Sequence, residues 1–133
     1  MKRNKLIARL VFLLYFAAVL YLCFGNFSSL SSVTKRFLGF EADKVAHFLM
    51  FFPFPILFYL AFGWPTHKPW HSLALTFFIL VVGSAIAAGT ELVQDFIPYR
   101  ASDRIDFLAD FLALCCASFI TFLIDLNKTI QHA

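Results

Sequence analysis

The sequence predicts an all-α fold, a polytopic membrane protein built as a bundle of four transmembrane helices with a kinked second helix. The chain of 133 residues is 61% hydrophobic and only 14% charged, whereas a soluble domain is about half apolar and about a quarter charged. The apolar residues also fall in four long runs, each able to cross a bilayer as a helix. No internal repeat or low-complexity linker divides the chain, so residues 1–133 are predicted to form a single domain.

The first two helices are predicted over residues 6–24 and 44–63. A basic head precedes the first run, as in a signal peptide, but large side chains stand where a cleavage site needs small ones, so we expect an uncleaved helix. The second run contains Pro53 and Pro55. Because each proline removes a backbone donor, this helix should bend, and neighbouring helices should satisfy the freed carbonyl groups.

The third and fourth helices are predicted over residues 72–96 and 102–126, with a tight turn at Pro98 between them. The third run contains small residues from Gly83 to Gly89, which allow a neighbouring helix to approach closely. Four crossings place both chain ends on the same side of the membrane.

The basic residues favour a cytoplasmic location for both chain ends. The terminal side carries Lys2, Arg3, Lys5, Arg9, Lys68 and Lys128, and the opposite side carries Lys35, Arg36, Lys44, Arg100 and Arg104. The difference is small, but the group before the first helix usually dominates orientation.

The stretch ELVQDFIPYRASDRIDFLAD, residues 91–110, places charged groups between two apolar runs. With a rise of about 1.5 Å per residue, Asp106 lies roughly 5 Å inside the membrane surface, Glu91 roughly 7 Å and Asp110 roughly 10 Å. On the second helix, His47 lies roughly 6 Å below Asp43. Because isolated charges in lipid are costly, four ionisable groups at similar depth predict a shared polar site.

The candidate substrate-binding residues are Asp43, Lys44, His47, Glu91, Gln94, Arg100, Ser102, Asp103, Asp106 and Asp110. Within this set, Lys44 and Arg100 are expected to contact an anion or a headgroup. The candidate catalytic residues, which would handle protons or recognise polar groups, are Glu91, Asp106 and His47.

Structural explanations compete with the functional ones. Ser102 and Asp103 suit the N-cap of the fourth helix, as Asp43 suits that of the second. The deep carboxylates can form structural ion pairs, and His47 can be a packing histidine. The ligand types would allow a metal site of His47 with Glu91, Asp106 or Asp110, but no close ligand pair accompanies His47, so we expect no metal. We also expect no cofactor, because no phosphate-binding loop is present. The scattered basic residues do not predict nucleic-acid binding.

Two motifs in this order resemble the VanZ-like family of small bacterial membrane proteins: DKVAHFLMF at residues 43–51 and ELVQDFIPYRASDRIDFLAD at residues 91–110. Asp110 and Ala113 depart from the family pattern, which has asparagine and glycine at these places. The family's founding member is associated with low-level teicoplanin resistance.

The resemblance implies a location in the bacterial cytoplasmic membrane, with a polar site facing outward. There the protein would bind or modify an envelope lipid, a cell-wall precursor or a lipoglycopeptide. Two alternatives stay open: a membrane-surface hydrolase or transferase that uses the carboxylates, and a small structural or assembly subunit. Whether a reaction is catalysed, and the oligomeric state, are left open.

Overall fold

The computed structural model of the chain describes residues 2–26, 36–37, 40–100 and 103–131. Its helices in this part of the chain are α1 (Lys2–Phe24), α2 (Ala42–Phe51), α3 (Phe54–Phe62), α4 (Pro69–Gln94) and α5 (Arg104–Gln131). Two strands of two residues each, β1 (Arg36–Phe37) and β2 (Phe40–Glu41), pair antiparallel before α2. Within the described residues, four helical segments are long and apolar enough to cross a membrane: Arg3–Phe24, Asp43–Phe62, Pro69–Gln94 and Arg104–Gln131. The predicted helical fold with four such segments is therefore confirmed.

Four helix ends lie beyond their predicted positions, including the starts of α1 at Lys2 and of α2 at Ala42. α4 begins at Pro69 rather than at residue 72, because proline suits the first turn of a helix, where its missing N–H has no partner to lose. α5 continues to Gln131 rather than ending at residue 126. The Thr129 hydroxyl lies 3.2 Å from that of Ser72, so a contact with α4 holds the last turn of α5.

The second apolar run is divided at Phe52 and Pro53 into α2 and α3. Pro53 has no N–H and cannot continue the backbone hydrogen bonds of α2. At this break, the Tyr15 hydroxyl of α1 donates to the carbonyl oxygen of Met50 at 2.6 Å. A neighbouring helix thus satisfies a carbonyl group at the break, as expected for prolines in apolar helices. The angle of the kink stays a prediction.

Small residues allow α4 and α5 to pack closely. Gly83 and Ala87 of α4 are buried, as is Ala113 of α5. A β-carbon at Gly83 would lie 2.7 Å from Cδ2 of Leu114 and 3.1 Å from the Phe54 ring. These helices are therefore closer than any side chain at Gly83 would allow without rearrangement, and Ala113 fits this interface despite its departure from the family's glycine.

The turn after α4 holds the end of α1. Gln94 Nε2 and the Tyr99 hydroxyl donate to carbonyl groups within residues 22–25 at 2.8 and 3.0 Å, and the Arg100 guanidinium donates to two more carbonyls there. The last carbonyl groups of a helix lack partners within the helix, and a cation beside them is favourable. These bonds fix α1 next to the hairpin that α4 and α5 form.

Candidate functional site

Four ionisable side chains meet where α2, α4 and α5 come together. His47 lies in the middle of α2, and Glu91 lies in the last turn of α4. Asp106 and Asp110 lie in the first turns of α5. Because residues four apart share one face of a helix, both aspartates can face α2.

His47 is at the centre of this cluster, which we name the four-residue site. Its Nδ1 atom lies 3.1 Å from Oδ1 of Asp110 and 3.7 Å from Oε1 of Glu91. Its Nε2 atom lies 3.9 Å from Oδ2 of Asp106. The short contact with Asp110 is a hydrogen bond in which the imidazole N–H donates to the carboxylate. The two ring nitrogens thus face different carboxylates.

The four-residue site is shielded from solvent but is not fully hydrogen-bonded. Asp110 is 0% exposed, Asp106 3%, His47 5% and Glu91 8%. Within the described part of the chain, neither carboxylate oxygen of Glu91 has a hydrogen-bond partner, and neither does Oδ1 of Asp106. Since buried polar groups are nearly always paired, these three oxygens indicate a site that a ligand or ion would complete.

Polar residues at the ends of the helices surround the four-residue site. Asp43 is exposed in the first turn of α2, and its carboxylate is close to both His47 and Asp106. Lys44 Nζ lies 3.6 Å from Oδ2 of Asp103. Asp103 also accepts a hydrogen bond from the backbone N–H of Ile105, so it has the N-cap role that the sequence suggested for it.

The remaining predicted residues have other positions. Gln94 and Arg100 donate to the carbonyl groups of α1, and in this arrangement they hold helices together. Their contact with a ligand stays a prediction. Ser102 lies outside the described residues.

An open groove of about 650 Å³ runs between α4 and α5 beside the four-residue site. Its wall is mostly apolar, with the charged residues Asp95, Asp103 and Arg104 near the ends of the two helices. The lining residues are Ala88, Glu91, Leu92, Asp95, Asp103, Arg104, Phe107 and Leu108. Glu91 belongs both to this wall and to the buried cluster, although its two carboxylate oxygens are themselves buried. Asp95 and Arg104 line the groove, although they are not among the predicted site residues.

A second buried polar cluster, centred on Asp125, lies at the other end of α5. Asp125 accepts hydrogen bonds from the Tyr59 hydroxyl and the Thr66 hydroxyl, both at 2.8 Å. Thr66 also lies 2.6 Å from the Thr129 hydroxyl. Because both oxygens of Asp125 are paired, this cluster bonds α5 to α3 and to the turn after α3.

The two clusters differ in what they can do chemically. The Asp125 cluster has its hydrogen bonds in place, so its arrangement is that of a structural connection. In the four-residue site, a carboxylate orients an imidazole and two further carboxylates stand beside it. Such a set can accept and deliver protons or hold a cation.

Comparison with known proteins identifies a eukaryotic relative. The chain is 35% identical, over an alignment of 98 residues, to an uncharacterized protein of Schizosaccharomyces pombe. The match covers 68% of this chain and 57% of the relative. The chain thus spans little more than half of that relative's length. No family model matches the chain, and no solved structure matches it.

The organism of this relative overturns one expectation. A homologue in Schizosaccharomyces pombe, a eukaryote, points away from a bacterial cytoplasmic membrane. The predicted location in the bacterial cytoplasmic membrane is therefore wrong. The relative's description states no activity, so the VanZ-like resemblance and its link with teicoplanin stay predictions.

Proposed function

We propose that this protein is an integral membrane protein that binds the headgroup of a phospholipid, or of a lipid-linked molecule, in the groove beside the four-residue site. The proposal has two parts, the membrane location and the ligand. Each is supported by a different property of the described residues.

The distribution of polar and apolar side chains supports the membrane location. Large apolar side chains on the outer faces are exposed, for example Leu14 at 73%, Phe77 at 64% and Leu112 at 57%. Meanwhile twelve polar or charged residues are buried among the described ones. Exposed apolar patches of this extent are rare on soluble monomers, whereas a bilayer would cover them.

The groove supports the ligand class, and one observation carries it: Glu91 joins an open groove to a buried cluster with unpaired oxygens. The end of the groove carries the charged residues Asp95, Asp103 and Arg104. Further along α5, its wall is formed by apolar Phe107 and Leu108. A lipid has the same order of parts, with a polar headgroup followed by apolar chains. Its headgroup would lie next to Glu91, while its chains would contact the apolar wall.

The test is lipid retention by protein purified in detergent, stripped of lipid and incubated with phosphatidylcholine and phosphatidylethanolamine. Native mass spectrometry counts the retained lipids. Ala88→Phe places a ring in the groove, and we expect it to lower retention at least several-fold. Gly89→Phe is the matched control, because a β-carbon at Gly89 meets no atom within 4 Å. Equal retention in the two variants would overturn the proposal.

Hydrolysis of a lipid ester is a second candidate, and the hydrogen bond between His47 and Asp110 favours it. A carboxylate that orients an imidazole is the arrangement of a general base. In this reaction His47 takes a proton from a water molecule, whose oxygen attacks the ester and releases an alcohol. We expect His47→Gln to abolish product formation from phosphatidylcholine while lipid retention persists. If the wild-type protein forms no product, this candidate is rejected.

A further inference from the structure

We propose that His47, Glu91 and Asp110 bind one divalent metal ion, with Asp106 positioning the histidine. Binding of the ion can be tested independently of the function proposed above. A role of the ion at the groove rests on that proposed function. This site departs from the expectation of no metal, which depended on the lack of a close ligand pair in the sequence, because its ligands come from three different helices.

The three ligand atoms are already close together. One atom each from His47, Glu91 and Asp110 lies within 4.8 Å of the other two, and all three residues are buried. Two ligands of a single ion, each about 2.0–2.2 Å from it, are about 3–4.4 Å apart. The Nδ1 atom of His47 is 3.1 Å from Asp110 and 3.7 Å from Glu91, so these separations fall in that range. The ion would replace the proton that Nδ1 now donates to Asp110.

The unpaired oxygens provide an independent reason to expect a ligand. Glu91 is 8% exposed, yet both of its carboxylate oxygens lack a hydrogen-bond partner among the described residues. Its Oε1 atom faces the Nδ1 atom of His47. A buried carboxylate without hydrogen bonds is unfavourable, and coordination of an ion would satisfy it.

Charge leads to the same conclusion. The four-residue site contains three carboxylates and one imidazole, which supplies at most one positive charge. Lys44 pairs with Asp103 and also acts on Asp106, so these acids share one further positive charge. A divalent ion adds two positive charges where the acids are buried, and buried charges in proteins are usually paired or bound to metals.

Asp106 completes the arrangement on the other side of the imidazole. A histidine that binds a metal through one nitrogen generally donates its other N–H to a carboxylate or carbonyl group. The Nε2 atom of His47 faces Oδ2 of Asp106 at 3.9 Å, and the carboxylate of exposed Asp43 is close to both residues. Asp106 would hold the proton on Nε2 and leave Nδ1 free for the ion.

The ligand types select the class of metal. One imidazole nitrogen with carboxylate oxygens suits Zn²⁺, Mn²⁺ or Fe²⁺, whereas Mg²⁺ and Ca²⁺ prefer oxygen ligands alone. Three protein ligands leave a coordination position for a further group. Since Glu91 also lines the groove, the ion would lie next to a headgroup bound there.

The test is metal binding by full-length protein in detergent, stripped with EDTA and titrated with ZnCl₂ and MnCl₂ in a calorimeter without lipid. We expect one ion per chain. His47→Gln and Glu91→Gln should each weaken affinity at least ten-fold, and Asp106→Asn about ten-fold. Asp125→Asn is the matched control on α5 and should leave affinity unchanged.

Two further measurements distinguish this site from other metal binding. The double variant H67N/H71N should bind as the wild type does, and loss of binding there would overturn the proposal. X-ray absorption of the zinc-loaded wild type should show one nitrogen among oxygen ligands and no sulfur. Because this measurement uses only the wild-type protein, it does not depend on whether a variant folds. An ion count other than one, or unchanged affinity in both glutamine variants, would also overturn it.

The outcomes separate this inference from the proposed function. Metal binding with equal lipid retention in Ala88→Phe and Gly89→Phe would support the ion site and reject the lipid groove. If Ala88→Phe lowers lipid retention and the wild type binds no metal, the ion site is rejected and the lipid groove is supported.

Discussion

A comparison of two buried aspartates of α5, Asp106 and Asp125, tests whether the four-residue site serves only to hold helices together. Asp125 accepts two hydrogen bonds at 2.8 Å, from Tyr59 and from Thr66. Asp106 is 3% exposed, but its Oδ1 atom has no partner among the described residues and its Oδ2 atom is 3.9 Å from His47. A small structural subunit would need both aspartates for stability.

The expected difference follows from the hydrogen bonds. Alanine at either position removes the same atoms and leaves a similar cavity, so the comparison isolates the polar contacts. Hydrogen bonds to a charged group contribute about 1.5–3 kcal/mol each. The lower value applies because Tyr59 and Thr66 are only partly buried. Asp125→Ala should therefore lower the free energy of unfolding by roughly 3 kcal/mol more than Asp106→Ala does.

The assay is reversible unfolding of purified protein in mild detergent by added dodecyl sulfate. Circular dichroism reports helix content, and the fluorescence of Trp64 and Trp70 reports the turn after α3 and the start of α4. If Asp106→Ala destabilises the protein as much as Asp125→Ala does, the reasoning is refuted. The four-residue site would then be a structural connection, and the assembly-subunit alternative would be favoured.

Three other substitutions test the packing around the site. Gly83→Val should destabilise the protein by about 2 kcal/mol in the same unfolding assay, since α4 and α5 leave no room there. Gly89→Val is its control, and equal effects would contradict the close packing. Tyr15→Phe should cost about 1 kcal/mol by removing the hydrogen bond at the helix break; an unchanged stability would speak against that bond. Arg100→Ala should speed hydrogen exchange at residues 22–25, whereas exposed Arg104→Ala should not. Equal exchange in both variants would mean that Arg100 does not hold α1.

The fold class was predictable because it depends on local properties of the chain. Apolar runs long enough to cross a bilayer form helices whatever their neighbours are, since their backbone groups must be paired within the run. Pro53 marked the break between α2 and α3 for the same local reason. The end of α5 was missed, because a contact between Thr129 and Ser72 supports its last turn.

The candidate site was predictable in part. Depth along each helix singled out His47, Glu91, Asp106 and Asp110, and the structure brings these four together. Depth did not reveal that Gln94 and Arg100 bond the end of α1. Those contacts join residues more than seventy positions apart. The periodicity within one helix therefore could not predict them.

The sequence by itself determined that this is a helical protein with four segments able to cross a membrane, and which residues lie deep in them. Only the tertiary structure decided how the helices are rotated against one another. That rotation aims Nδ1 of His47 at Asp110 and Glu91, and Nε2 at Asp106. It also leaves oxygens of Glu91 and Asp106 unpaired, while both oxygens of Asp125 are paired. The physical reason is that helical periodicity assigns a side chain to a face, whereas its partners depend on contacts between faces distant in the chain.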